Sequence, residues 1–261
     1  MKNVYALQFT TSGRATISMR GSSRVKLEYS YNDVDWDRWD FSGLTVNSGD
    51  TLYIRGYNPR GLSQKNVKYY KFIMEGDKVS CSGNIMSLID YKNLPDTIPC
   101  DYCFFGLFER CTALTTAPEL PATTLAESCY ENMFSCCTSL KSAPELPATK
   151  LATGCYSYMF EGCASLTTAP ELPAMRLAEF CYDGMFYKCT SLKTAPELPA
   201  TTLAEFCYRI MFSGCTALTT APELPATKLA KDCYYQMFKG CTSLKNKPKL
   251  TESYNPIMTF K

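Results

Sequence analysis

The chain has 261 residues, 46% of them hydrophobic, and 27 Lys and Arg against 25 Asp and Glu give a formal net charge of +2. So even a balance offers no general attraction to nucleic acid or to an anionic membrane. Histidine is absent, which removes Ser-His triads, Cys-His dyads and zincin sites; the expectation is a non-enzymatic protein with no catalytic residue, cofactor or bound metal, and no run of about 18 apolar residues predicts a membrane span.

From the N-terminus, alternating runs at Tyr5 to Thr10, Ala15 to Met19, Val25 to Tyr31, Thr51 to Tyr57 and Val67 to Met74 predict short strands. Turn residues separate them at Ser12-Gly13, Gly21-Ser22, Asn47 to Asp50 and Asn58 to Gly61. Residues 1 to 80 therefore read as a small antiparallel β-sandwich. The first residues alternate like a strand and carry no apolar signal core, so a signal peptide was either removed or never used. Asp33, Asp35, Asp37 and Asp40 cluster like calcium ligands, but Arg38 and Leu44 stand where a calcium loop needs Gly and Glu, and a solvated turn is expected. Trp36 and Trp39, near Tyr29 and Tyr31, are candidates for stacking on a sugar ring, with burial in the sandwich core as the alternative. Ser82 to Leu88 joins this unit to the rest with little linker, so end-to-end packing is expected.

Beyond it the chain repeats every 26 residues. Leu114, Leu140, Leu166, Leu192, Leu218 and Leu244 mark the step, and so do paired prolines from Pro118/Pro121 to Pro222/Pro225, with Pro248 beginning an incomplete last pair. A Tyr column runs from Tyr130 to Tyr234 and a Phe column from Phe108 to Phe238. Two cysteine columns, Cys103 to Cys233 and Cys111 to Cys241, hold 12 of the 15 cysteines. Leu88, Leu94 and Pro95 fall in register, so a degenerate first coil begins near Asn84, and the array occupies 81 to 250, with 251 to 261 as a tail or cap. The A-P-E-L-P-A segment reads as an extended edge, because proline removes an N–H and biases its predecessor toward extended geometry. The stretch L-A-x-x-C-Y-x-x-M-F-x-x-C, as in Leu125 to Cys137, has the apolar spacing of one or two helical turns. Stacked at about the 4.8 Å strand spacing, such coils bury faces that none could bury alone.

The unit M-F-x-x-C-T-S-L-x-x-A-P-E-L-P-A-T-x-L-A-x-x-C-Y resembles the BspA-like leucine-rich repeat family, with Met in place of Ala before Phe and Ala-Pro in place of an aliphatic strand residue. The resemblance covers about two thirds of the chain. It implies a solenoid of coils, each a short strand plus a helical turn, on an extracellular-facing surface protein that adheres to host or microbial ligands; related repeats also occur in phages of such bacteria.

Cys100 and Cys103 form the only C-x-x-C, read here as a ladder rung and its neighbour, since neither a second zinc pair nor a βαβ context is present. The cysteine columns read as buried thiols filling space, although neighbouring rungs fall within disulfide reach. Unpaired thiols in such number favour assembly in a reducing compartment. Columns that differ between coils mark the face free to be tuned: Ser128, Gly154, Phe180, Phe206, Asp232; Glu131, Ser157, Asp183, Arg209, Tyr235; and Asn132, Tyr158, Gly184, Ile210, Gln236. Tyr158, Phe180, Tyr187, Phe206, Arg209, Ile210 and Tyr235 are the candidate partner-binding residues, with drift between duplicated units as the alternative. An identical ladder, Glu119, Glu145, Glu171, Glu197 and Glu223, requires something to offset its repulsion, such as capping hydrogen bonds or Lys150, Arg176 and Lys228. The function expected is adhesion or recognition of a protein or glycan on a cell or particle surface, compatible with an oligomer or larger assembly. The alternatives are a fibre or decoration component of a phage virion and, third, a carbohydrate-active enzyme.

Overall fold

The computed structural model describes residues 5–21, 24–63 and 69–246. The expected tail 251 to 261, Pro248, Ser22 and Val67 lie outside the described residues. The fold is rich in β-structure with a 26-residue repeat of stacked aromatic rings, and the described residues contain one short helix, α1 (Ser87–Asp90).

The N-terminal strands are β1 (Leu7–Thr11), β2 (Arg14–Arg20), β3 (Leu27–Ser30), β4 (Asp37–Arg38), β5 (Leu44–Asn47), β6 (Leu52–Gly56), β7 (Lys71–Gly76) and β8 (Val79–Ser82). A three-stranded antiparallel sheet has the order β5-β2-β7, and a second sheet runs β4-β3-β6-β1-β8. Alternation places Leu7 and Phe9, Ala15, Ile17 and Met19, and Leu52 and Ile54 in one core. Strands β4, β5 and β8 add to the five expected runs; L-T-V-N and V-S-C-S do alternate, but each is only four residues long.

That second sheet does not stop at β8. Its sixth strand, β9 (Leu114–Thr116), belongs to the first repeat and lies parallel to β8. The expected boundary between residues 80 and 81 therefore falls within a strand bonded on one side to β1 and on the other to the array. Four N–H groups of the N-terminal unit, from Ser63, Phe72, Val79 and Ile85, donate to the first coil at Cys103, Leu107, Ala113 and Glu119. Phe72 also stacks on Phe108 at 5.0 Å, which makes it the rung beneath the Phe column. The ladder thus begins on β7, ahead of the coil expected from Asn84.

Within the array the expected helical turns are absent. From Ser128 to Cys137 the backbone N–H groups alternate between two destinations. Those of Ser128, Tyr130, Asn132, Phe134 and Cys136 donate to Thr153, Cys155, Ser157, Met159 and Glu161 of the next coil. Those of Cys129, Glu131, Met133, Ser135 and Cys137 donate three residues back within their own coil. An α-helix sends every N–H four residues back and so leaves none for a neighbour. Every fourth residue, Ser128, Asn132 and Cys136, has a left-handed backbone (φ 49°, 56° and 59°), and the same columns are left-handed in the following coils. Apolar spacing of three and four arises here from a four-residue turn repeat.

The extended edge is also displaced from its expected place. Parallel bridges join Thr116, Ser142, Thr168, Thr194, Thr220 and Asn246, the residues two before each proline, while the A-P-E-L-P-A segments themselves carry no bridge beyond Asn84 to Glu119. Inside, the Phe column stacks at 5.4–5.7 Å from Phe108 to Phe238 and the Tyr column at 5.8–5.9 Å from Tyr130 to Tyr234, with rings close to parallel.

The second cysteine column is more than filler. The thiols of Cys111, Cys137, Cys163, Cys189, Cys215 and Cys241 donate to the carbonyls of Phe72, Phe108, Phe134, Phe160, Phe186 and Phe212 at 3.0–3.2 Å. The carbonyl of Phe134, for instance, also accepts the Cys137 N–H, so the neighbouring coil's thiol uses its second lone pair. Burial pushes these thiols up, to about 12 for Cys111 and about 11 for Cys241, so they stay protonated donors at neutral pH.

The left-handed columns give a test. Lys188 is exposed with φ 59°, where Gly162, Gly214 and Gly240 occupy the same column. Removing a side chain from left-handed backbone relieves about 1 kcal/mol, so Lys188→Gly raises the denaturant midpoint, whereas glycine in ordinary backbone lowers it.

Candidate functional site

Two of the variable columns, 128 to 232 and 132 to 236, consist wholly of left-handed positions. Gly154 and Gly184 fit such backbone without cost, and Asn132 and Asp232 tolerate it. Tyr158 (φ 51°), Phe180 (φ 55°), Phe206 (φ 57°) and Ile210 (φ 45°) do not; a β-branched residue there is an outlier. The bulky side chains are held at a cost of roughly 1–3 kcal/mol each.

These residues converge. The rings of Phe180 and Phe206 stack at 4.7 Å, with the Arg209 guanidinium 5.5 and 5.3 Å from them and Lys231 5.5 Å from Phe206. Arg209 grips Asp183 of the preceding coil with two hydrogen bonds, 3.0 and 2.7 Å. Tyr158 lies over Gly184, where a Cβ would come within 2.5 Å of its ring, and so reaches past one whole coil to share a hydrogen bond with Arg209. Phe180, Phe206, Arg209, Ile210 and Tyr158 are all half-buried and Asp183 is 2% exposed. Burial pushes the Asp183 carboxyl up, against the Arg209 hydrogen bonds and charge that pull it down. Arg209 is itself pushed further up, chiefly by the Asp183 hydrogen bonds.

The other candidates stand apart from this cluster or at its rim. Tyr235 is 37% exposed and accepts a hydrogen bond from Gln236, and Tyr187 lies beneath the Lys188 ammonium at 4.9 Å. Asp183 and Lys231 were not singled out from sequence. The signal for Asp183 was available: an acid and a base one repeat apart in a single column.

The two tryptophans have different surroundings. Trp39 is 3% exposed, stacks on Phe72 at 6.1 Å and donates its indole N–H to the Ser42 carbonyl, so the core alternative applies. Trp36 is half-buried with the Arg55 guanidinium 3.6 Å from its ring; Arg55 also lies against Tyr91 and pairs with Glu28. A nearby groove of about 480 Å³ has Arg24, Lys26 and Arg60 on its walls, but its buried polar residue, Asn58, is engaged by Lys26 and Leu88 backbone. The glutamate ladder from Glu119 to Glu223 is exposed, and among the described residues no ion pair or hydrogen bond reaches its carboxylates. Solvent screening, with no capping partner, is what offsets its repulsion.

Arg209→Leu tests the pair at the centre. It leaves Asp183 buried and alone, a loss that falls below the about 3–5 kcal/mol of a fully buried pair because a third of the Arg209 side chain meets water. The Asp183 pKa is raised in the folded state, so its contribution is favourable below the ordinary carboxylate value and declines as pH rises through the raised one. Without Arg209 the shift grows, and melting temperatures of variant and wild type diverge more at about pH 7 than at about pH 4. No family model, curated protein or solved structure matches the chain, and the meaning of this face rests on its own geometry.

Proposed function

We propose that the chain is a non-enzymatic recognition module, a BspA-type leucine-rich repeat solenoid capped by a β-sandwich, that binds a protein partner through the face of Tyr158, Phe180, Phe206, Arg209 and Ile210, with Tyr235 and Tyr187 at its rim. The observation that carries the reading is the bulky side chains at left-handed backbone. Such positions drift toward Gly, Asn or Asp unless the side chain does something beyond the fold. Aromatic residues with Arg are also the composition of binding hot spots.

Protein is favoured over glycan as the partner because Phe180 and Phe206 each give one ring face to the other and have the Arg209 and Lys231 cations close by, which reduces the open ring face that a sugar would stack on. An extracellular-facing location on a cell or particle surface follows from the family resemblance. The second reading, a fibre or decoration part of a phage virion, draws on the cysteines: all 15 are free, and the second column donates protonated thiols to backbone carbonyls. Denatured native protein is expected to titrate close to its full 15 thiols without reductant; a count that appears only after reduction removes the support for cytosolic assembly.

Binding is tested by screening the full chain against panels of extracellular proteins and glycans and then measuring each hit with Phe180→Gly/Phe206→Gly. Glycine suits both backbones, so the double variant keeps its stability while affinity for a protein hit drops by on the order of tenfold or more. Undiminished affinity, or hits confined to glycans, overturns the proposal.

A further inference from the structure

Cys100 and Cys103 stand where the N-terminal unit meets the first coil, and their surroundings differ from those of the ladder thiols. Cys103 is the buried lowest rung of its column, and its carbonyl accepts the Ser63 N–H at 3.1 Å. Cys100 lies outside both columns, is only half-buried, and donates to the Ser63 carbonyl at 3.4 Å. Facing both is Gly61, at φ 84°; a Cβ there would lie 2.3 Å from the Cys100 sulfur and 3.1 Å from the Cys103 sulfur. The two sulfurs thus converge on the space a side chain at position 61 would fill. They share a hydrogen bond, which holds the Cys100 thiol below its ordinary range against the opposing effects of burial and the Asp101 carboxylate. Cys103 is pushed well up, chiefly by burial. Attack on a disulfide needs a thiolate that solvent can reach, and resolution needs a second thiol close behind it.

We propose that Cys100 and Cys103 form a thiol–disulfide exchange site, which closes reversibly to an intramolecular disulfide by reducing a low-molecular-weight disulfide of the glutathione disulfide class. In the first step the Cys100 thiolate attacks one sulfur of the small disulfide. A mixed disulfide forms on Cys100 and one small thiolate leaves. In the second, Cys103 gives its proton to that departed thiolate through solvent and attacks the Cys100 sulfur, expelling the other half as a second thiolate. Two protein thiols are oxidised to one disulfide, and one small disulfide is reduced to two thiols. The ladder thiols lack the first requirement: they are buried, and burial raises those of Cys129, Cys155 and Cys181. The closed disulfide would staple the turn from Cys100 to Cys103 that faces the Gly61 to Ser63 loop, while the rungs above stay reduced.

The test uses the full reduced chain, equilibrated natively at graded ratios of glutathione to glutathione disulfide, acid-quenched, and labelled with maleimide in denaturant. Trypsin cuts after Lys92 and Arg110, so the peptide from 93 to 110 carries Cys100 and Cys103 and no other cysteine. As the buffer becomes oxidising, this peptide is expected to become two hydrogens lighter and refuse label, while ladder peptides label fully and reductant reverses the change. Under native conditions Cys100 alkylates on the order of tenfold faster than the column thiols. Cys103→Ser retains one glutathione on Cys100, and Cys100→Ser takes up none. The proposal is overturned if the wild-type peptide accepts two labels at every ratio, keeps glutathione on Cys100, or is found cross-linked from Cys103 to Cys129. These readings need only the wild-type chain, so they stand even if a variant fails to fold.

Discussion

The alternation of backbone donors governs the array. Along the turn segment of each coil one N–H closes a local turn and the next reaches the following coil, as from Tyr130 to Cys155 and from Phe134 to Met159. Buried backbone groups must find partners, and here the partners lie in two directions, back along the coil and across to the next coil. The chain can sustain that only by reversing its handedness at every fourth residue, at Ser128, Asn132 and Cys136 and their equivalents. Once each coil is bonded to the next at such short intervals, equivalent side chains must lie directly over one another. The ring stacks and the thiol-to-carbonyl ladder follow from this register; they do not create it.

A stack bonded in one direction leaves acceptors bare at its lower end. The carbonyls of Cys103, Leu107, Ala113 and Glu119 find their donors in the N-terminal unit, which imitates a coil without sharing its sequence. Phe72 supplies a ring below Phe108 and a carbonyl for Cys111, and β8 supplies the strand beside β9. Below that, Trp39 stacks on Phe72, so the aromatic column ends in the core between the N-terminal strands and meets no solvent. The two units therefore bury one continuous core, and the lower edge of the repeat array is covered in the way an exposed sheet edge needs to be.

Much of this was legible in the sequence, because a repeat prints its core as columns. Most Leu and the Phe, Tyr, Met and Cys positions common to the coils are buried, whereas the variable columns mix buried residues such as Asp183 and Ser157 with half-buried and exposed ones. Local conformation was harder to read. Residues such as Cys129, Tyr130, Met133, Phe134 and Cys137 have the spacing of a helix face, and a four-residue turn repeat produces the same spacing. What separates the two is the set of glycines: Gly154 and Gly184, and Gly162, Gly214 and Gly240, recur in columns otherwise held by larger residues, a sign of left-handed backbone visible only by comparing coils. At the junction the periodicity of Leu88, Leu94 and Pro95 misleads, because the residues paired with the first coil are Asn84 with Glu119 and Thr97 with Thr124, at separations other than the repeat. Nothing in the sequence distinguishes Trp36 from Trp39; burial of one and the Arg55 contact of the other depend on how β3, β4 and β6 pair.

The invariant and variable columns carry opposite thermodynamic loads. Invariant rungs add burial, stacking and a hydrogen bond with each coil, and the benefit grows with the number of coils as in other repeat arrays. The left-handed columns draw on that reserve. They hold small or strain-tolerant residues at Ser128, Asn132, Gly154, Gly184 and Asp232 and bulky ones at Tyr158, Phe180, Phe206 and Ile210, while Tyr102 in the first coil and Gln236 in the last are left-handed too. Tyr158, Phe180, Phe206 and Ile210 lie in three successive coils that bond on both sides, on the one face where Asp183, almost fully buried, is committed to holding Arg209. Unconstrained drift can place a bulky residue in any coil, as at Tyr102, but would not supply a buried acid to orient an arginine among several of them. Aromatic side chains, a positioned cation and support from coils on both sides are what the proposed binding face asks of a scaffold whose other positions are fixed by its own repetition.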